Sequence, residues 1–227
     1  MTQAPLKPPI VYPEPDGSPM AESDIARDYL IYGVEALKLY LKHDPNVYVS
    51  GNLWLSYEQG VADAVVCPDV FVVFGVENRL RRSYKVWEEN DKAPDWVLEV
   101  TSISTRKKDE KEKPTIYAKM GVKEYFQYDP SGDYLKPALK GRRKKGERYQ
   151  VIDGKTLEDG TLCVMSEVLG LELRLLPDGQ LRFFNPETGE YLRTPQESEQ
   201  ELLLQRERAD RLAARLRELG IDPSELA

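Results

Sequence analysis

Hydrophobic positions along the chain change period several times, and each change marks an element. Residues 1–22 show no regular alternation: six prolines stand among few apolar positions, which predicts an extended arm. From Ser23 the period becomes helical. In SDIARDYLIYGVEALKLYLKHDP, Ile25, Tyr29, Tyr32, Ala36, Leu39 and Tyr40 recur at helical spacing, Ser23 or Asp24 offers a cap, and Asp44-Pro45 closes the run. This predicts an amphipathic helix. VYVSGNLWLSYE and CPDVFVVFGV then read as strands, rich in Val, Phe and Tyr and broken by Gly or Pro. After a polar connection through residues 77–93, APDWVLEVTS reads as a buried strand. Residues 104–120 are helical in composition, with Pro114 either beginning or kinking the helix and Gly121 stopping it. EYFQYDP is a further strand, and short strands and turns such as SGD, PDGQ and PETGE fill the chain to residue 194.

A strand, helix, strand succession implies an α/β or α+β fold with a mixed central β-sheet flanked by helices. The expected organisation is an arm (1–22), one domain (23–194) and a helical tail (195–227). In the tail, Leu202, Ala209 and Leu216 recur every seven residues, as do Gln205, Leu212 and Leu219. Such a stripe suits a short coiled coil with a second copy, hence a homodimer, or packing on the protein's own core.

Composition narrows the class. With 227 residues, 41% hydrophobic and 31% charged, the chain can bury a sizeable core. No run of about 18 apolar residues suggests a membrane span, and the proline-rich N-terminus does not resemble a secretion signal. Cys67, Cys163 and the single His43 cannot make a zinc cage. His43 reads as a helix-end residue complementing the dipole. The expected setting is a reducing cytoplasm. No Gly-rich phosphate loop is present.

The net charge of −7 argues against a polyanionic partner until its distribution is considered. Residues 1–24 and 195–227 carry −3 each, leaving −1 for the central domain. There the basic residues bunch: Arg79, Arg81, Arg82 and Lys85, then Lys136, Lys140, Arg142, Arg143, Lys144, Lys145 and Arg148 against the lone Glu147. Attraction acts locally, within a Debye length of about 10 Å, so these segments could track a phosphate backbone. They read equally as solvated, lysine-rich turns.

Two acids stand out because their surroundings look buried: Asp69 in CPDVFVVFG and Glu99 in PDWVLEVTS. A buried carboxylate is costly unless it is paired, at an edge or bound to a metal. Alternation places Asp95, Val97, Glu99 and Thr101 on one face of their strand, but Asp95 and Glu99 lie about 13 Å apart, too far to share one ion. Glu99 therefore needs a partner from a neighbouring strand, and Asp69 is the natural one. Oxygen ligands from this pair suit Mg2+ or Mn2+. Lys107, Lys108, Lys111 and Lys113 follow, and Asp109, Lys113 and Tyr117 recur every four residues on one helical face that could look into the site or into solvent.

The pattern Pro68-Asp69 followed by Glu99-Val100-Thr101-Ser102 resembles the PD-(D/E)xK nuclease superfamily. The string from Ala93 to Pro130 is more specific. With Glu99, Ser102, Asp109, Lys113, Tyr117, Gly121-Val122 and Tyr125-Phe126-Gln127-Tyr128-Asp129-Pro130, it resembles the Uma-type family of bacterial restriction-endonuclease-like proteins, tightly over 61–130 and loosely over 25–180. The superfamily lysine two residues after the acid is Thr101 here. This family is similar in lacking it and is thought to draw its cation from the following helix. The resemblance therefore implies a restriction-endonuclease-like fold, Asp69 and Glu99 as metal ligands, and Lys113 as the substituted lysine, with Lys111 in reserve. Glu35 on the first helix resembles an extra acid of some members or is simply solvent-facing. Gln127, opposite in face to Phe126 and Tyr128, lines the site side of the sheet or makes a structural hydrogen bond.

The sequence thus supports a magnesium-dependent endonuclease acting on DNA phosphodiesters. The alternatives are a non-catalytic dimeric DNA-binding or scaffold protein with a degenerate nuclease fold, and a protein-binding adaptor using residues 195–227.

Overall fold

The computed structural model describes residues 24–102, 105 and 108–219. The expected arm, the Ser23 cap and Lys107 lie outside the described residues. The chain opens with helix α1 (Asp24–Tyr40) and strands β1 (Val47–Ser50), β2 (Leu55–Ser56), β3 (Val65–Val66), β4 (Val70–Phe74) and β5 (Tyr84–Lys85). Strand β6 (Trp96–Val100), helix α2 (Lys113–Met120) and strands β7 (Glu124–Tyr128), β8 (Leu139–Lys145) and β9 (Arg148–Ile152) form the centre. Strands β10 (Lys155–Thr156), β11 (Leu162–Ser166), β12 (Leu171–Leu175), β13 (Leu181–Asn185) and β14 (Glu190–Tyr191) lead to helix α3 (Pro195–Glu218).

The main sheet is mixed, in the order β1-β4-β6-β7-β8-β9. Only β6 and β7 pair in parallel, and a parallel neighbour requires a crossover. Helix α2 supplies it. A π-helical turn, Lys108–Glu112, precedes α2, and Pro114 lies in its first turn, where a missing N–H costs nothing. Pro114 therefore begins the helix. Gly121, at φ 94°, ends it in the left-handed conformation that glycine adopts without steric penalty.

Strand alternation gives this sheet two different faces. One presents Trp96, Leu98, Val100, Phe126 and Tyr128 to α1 and to a second sheet, β10-β11-β12-β13-β14, through residues such as Val164, Leu173 and Phe183. The Tyr32 hydroxyl fastens α1 to that sheet, accepting from the Phe183 N–H at 2.9 Å and donating to the Leu192 carbonyl at 3.3 Å. The other face presents Phe71, Val73, Val97 and Tyr125 to Tyr117 of α2 and to a small sheet, β3-β2-β5, through Leu55, Val66 and Tyr84. Carboxylates share this second face.

Helix α3 begins with a full capping box between Thr194 and Glu197, reinforced by Arg182 at 2.8 Å from Glu197. Beyond that anchor it projects away: none of its 24 residues is buried. Packing on the protein's own core, one of the two alternatives raised by the heptad stripe, is not seen for the described residues of α3.

Candidate active site

The pairing of β4 with β6 sets Val70 opposite Leu98, so the next residues out, Asp69 and Glu99, face each other on adjacent strands. The Asp69 Oδ2 accepts a hydrogen bond from the Val100 N–H at 2.7 Å. Gly51 makes room for this strand end, since a Cβ there would lie 2.1 Å from the Asp69 carbonyl oxygen.

The segment after β6 folds back over the pair. Lys113 places its ammonium 2.8 Å from Glu99 Oε2 and 2.9 Å from Asp109 Oδ1. Tyr117, one turn on, donates its hydroxyl to Glu99 Oε1 at 2.6 Å. Thr101 donates to Asp109 Oδ2 at 2.7 Å, and the Tyr125 hydroxyl donates to the Asp109 carbonyl at 2.7 Å. The structure thus brings Asp69, Glu99, Asp109, Lys113 and Tyr117 together, with three carboxylates around one ammonium among the described residues.

That imbalance shows in the titration of the groups. Burial, then the charge of Glu99, pushes the Asp69 carboxyl well above the usual carboxylate range. Burial also raises Glu99, although Lys113 opposes the shift. For Lys113, burial works to lower the pKa but is outweighed by Glu99, Asp109 and Asp69, so the ammonium is held more firmly than usual. Burial, then the Glu99 charge, keeps the Tyr117 phenol protonated far above its ordinary value.

Other expected residues fall outside this cluster. Lys111 is exposed on the solvent side of the π-helical turn. Glu35 is exposed on α1, 3.1 Å from Lys38. Gln127 lies beside Glu99 in the β6–β7 register and is buried. Three of the expected backbone-binding arginines spend their charge within the fold. Arg81 is 2.7 Å from Glu89 and covers the Tyr48 ring at 4.2 Å, and Arg79 reaches the same Glu89 at 2.6 Å. Arg143 pairs with Glu124 at 2.8 Å and with Glu167 at 2.5 Å. Among the described residues Arg82, Arg142, Lys144 and Lys145 make no ion pair.

Two members of the cluster escaped the sequence reading. Thr101 holds Asp109 from the position where the superfamily pattern has lysine, and alternation had already put it on the Glu99 face. Tyr125, two residues before Gln127 and on the same face, closes the cluster from β7.

Oxygen donors on adjacent strands, short of positive charge, fit a hard divalent cation held by Asp69 and Glu99. Among the described residues no three His, Cys, Asp or Glu side chains group in a metal-binding arrangement, so such an ion would take its remaining ligands from water and substrate.

A mixed sheet with helices on both faces and paired acids at neighbouring strand ends defines an α+β protein. The model of Uma2, the family described as "Putative restriction endonuclease", matches residues 30–209, and the chain belongs to this family. No curated protein matches the chain. Four solved chains match. One of them, titled a "putative nuclease belonging to DUF820" from Anabaena variabilis, is 15% identical, covers 66% of this chain and 76% of its own, and superposes with a TM-score of 0.47.

Proposed function

We propose that this protein is a magnesium- or manganese-dependent endonuclease that hydrolyses DNA phosphodiester bonds. The observation that carries the reading is the shortage of positive charge, among the described residues, around Asp69, Glu99 and Asp109, at a strand-end position suited to an ion. When bound there, a divalent cation supplies Lewis-acid polarisation of a phosphoryl oxygen and a more acidic bound water. In the reaction a water oxygen bonds to phosphorus as the P–O bond to the leaving deoxyribose oxygen breaks. One proton leaves the water for solvent, and one reaches the leaving oxygen.

The chain's own groups have separate tasks. Lys113 stays protonated, so it does not act as a base; its N–H donors steady the attacking oxygen or the charge growing on phosphorus. Tyr117 orients Glu99 through its hydrogen bond. Thr101 and Tyr125 fix Asp109, which in turn holds Lys113 in place. Arg82, Arg142, Lys144 and Lys145 are the cations left to grip the phosphate backbone. The tail acts beside this chemistry: α3, with its heptad stripe outside the core, pairs with a second copy to give a homodimer. The setting is the cytoplasm.

Supercoiled and single-stranded DNA incubated with the full chain and Mg2+ or Mn2+ test the reading. Nicking or cleavage is expected, with loss in Asp69→Ala and Glu99→Ala. Calorimetric Mn2+ binding should vanish in the same variants. Intact DNA, with ion binding unaltered by either substitution, overturns it.

One observation favours a second reading, a DNA-binding scaffold without turnover: Lys113 already occupies oxygens of Glu99 and Asp109. Salt-dependent gel shifts without cleavage would select it.

A further inference from the structure

The row that holds Asp69 and Glu99 does not stop at β6. Parallel pairing sets Gln127 beside Glu99, and antiparallel pairing sets Lys140 beside Gln127. Residues opposite one another in a sheet share a face, so Asp69, Glu99, Gln127 and Lys140 project together from β4, β6, β7 and β8, about 4.8 Å apart strand to strand.

Gln127 is 1% exposed, and neither atom of its amide has a hydrogen-bond partner. Burying an amide in this way is costly, and an apolar side chain of similar size would avoid the cost. The other residues on this face of β6 and β7, Val97 and Tyr125, belong to the apolar cluster beneath α2. An unpaired amide therefore stands where packing alone asks for a hydrocarbon, next to a carboxylate it does not bond. Glu99 has one oxygen on Tyr117 and the other on Lys113, but each retains a free lone pair. One strand spacing is too wide for a direct bond between two side chains extending in parallel and suits a water touching both.

Lys140 is the opposite case. It is half-buried, and among the described residues its side chain makes no hydrogen bond or ion pair. Arg142 follows on the same face of β8, with a buried, unpartnered Nη1. The charge along the row thus runs from negative on β4 and β6 to positive on β8, with the amide between.

We propose that Gln127 positions the attacking water beside Glu99, and that Lys140 holds the phosphate next to the reacting one. The inference rests on the nuclease reading above. It gives Gln127 a positioning role and makes Lys140 a substrate contact.

Gln127→Leu and Lys140→Gln are to be compared with wild type and Asp69→Asn in cleavage kinetics, in thermal melting, and in DNA affinity measured in Ca2+ across a salt series. Gln127→Leu is expected to lower kcat at least tenfold, leave KM within twofold, and melt at the same temperature or higher. A merely structural glutamine would lower the melting temperature instead. Lys140→Gln should raise KM several-fold, leave kcat nearly unchanged, and reduce the slope of log affinity against log salt by about 0.9, the loss of one phosphate contact. Lys140→Arg should restore both. Unchanged kcat in Gln127→Leu, with Asp69→Asn inert, overturns the inference and leaves the nuclease reading standing, as does an unchanged salt slope in Lys140→Gln. An inert wild type overturns both.

Discussion

Buried acids occur in two regions of this molecule and are treated in opposite ways. Glu124 and Asp129 flank the core of β7, and Glu99 and Asp109 lie in the cluster under α2; all four are at most 1% exposed. Glu124 accepts from Arg143 Nε, the Ser166 hydroxyl and the N–H groups of Glu167 and Val168. Asp129 accepts from the N–H groups of Ser131, Gly132, Tyr134 and Leu135 and from the Ser131 hydroxyl. Burial would raise the Asp129 pKa, but these donors outweigh it and leave the carboxyl below its ordinary range. By contrast, Glu99 and Asp109 share one ammonium with Asp69, and both Asp69 and Glu99 are pushed up. An acid that serves structure is given a full set of donors of its own, an arginine and neutral dipoles for Glu124 and neutral dipoles alone for Asp129. Among the described residues, the acids under α2 are left short of positive charge.

The largest expected effect separates the two groups by activity. Asp69→Asn and Glu99→Gln should each reduce DNA cleavage by about 10³-fold or more, roughly 4 kcal/mol of transition-state stabilisation. The same substitutions should raise the stability of the metal-free protein by about 1–2 kcal/mol, because they relieve the crowding of like charge. Excess Mn2+ should reverse that order, stabilising wild type by about 2.7 kcal/mol at a hundred times Kd and leaving the variants unchanged. Denaturant melts with and without Mn2+ check both directions. Variants less stable than wild type in both conditions would show that the cluster is structural.

Glu124→Ala and Asp129→Ala should do the reverse. Each orphans several buried donors, at about 2–4 kcal/mol, and neither touches the cleavage rate per folded molecule. Active-site titration beside urea unfolding reads the two quantities separately. A proportionate loss of kcat at low temperature would erase the distinction between the two regions.

A smaller effect distinguishes them by pH, with opposite signs. The Asp69 pKa is raised in the folded state, so its contribution to stability is full below the ordinary carboxylate value of about 3.9 and is lost as pH rises through the raised value. The advantage of Asp69→Asn over wild type should therefore be absent near pH 4 and grow toward neutrality. The Asp129 pKa is lowered, so its contribution is full above the ordinary value and lost as pH falls through the lowered one. The penalty of Asp129→Asn should shrink in acid. Melts of both variants across pH 3–8 check the signs, and parallel trends would contradict the contrast.

Much of this arrangement was legible in the sequence, because strand alternation and helical spacing are local. Asp69 and Glu99 stood out as acids in apolar strands, and Asp109, Lys113 and Tyr117 as a four-residue repeat. Illegible were the partners that depend on register. Whether Gln127 lies beside Glu99 follows from the parallel β6–β7 pairing, which no local pattern encodes. The partners of the basic clusters are illegible for a related reason: Arg81 and Glu89 are eight residues apart with no helical or strand period between them, so their ion pair, and those of Arg79 and Arg143, appear only in three dimensions. In the tail, heptad spacing identified the stripe but could not choose its partner, because a helix carries no information about which surface meets it.

Helix α3 extends the comparison to its weakest case, a region where none of the described residues is buried. Deleting the chain from Leu202 onward keeps the Thr194–Glu197 capping box and the Arg182–Glu197 ion pair, and none of the described side chains it removes is buried in the protein's own core. Monomer stability should therefore change by no more than about 0.5 kcal/mol, the range of surface substitutions. Self-association should nevertheless disappear, because the apolar stripe of Leu202, Leu212, Leu216 and Leu219 is removed with it. Three heptads make a short seam, so the wild-type dimer should dissociate on dilution, and sedimentation velocity over a wide concentration range is the suitable measurement. Leu212→Lys, at the centre of the stripe and 67% exposed, should reproduce the truncation in the intact chain. A wild-type protein that stays monomeric at high concentration, or a truncated one that still dimerises, would move the contact away from α3.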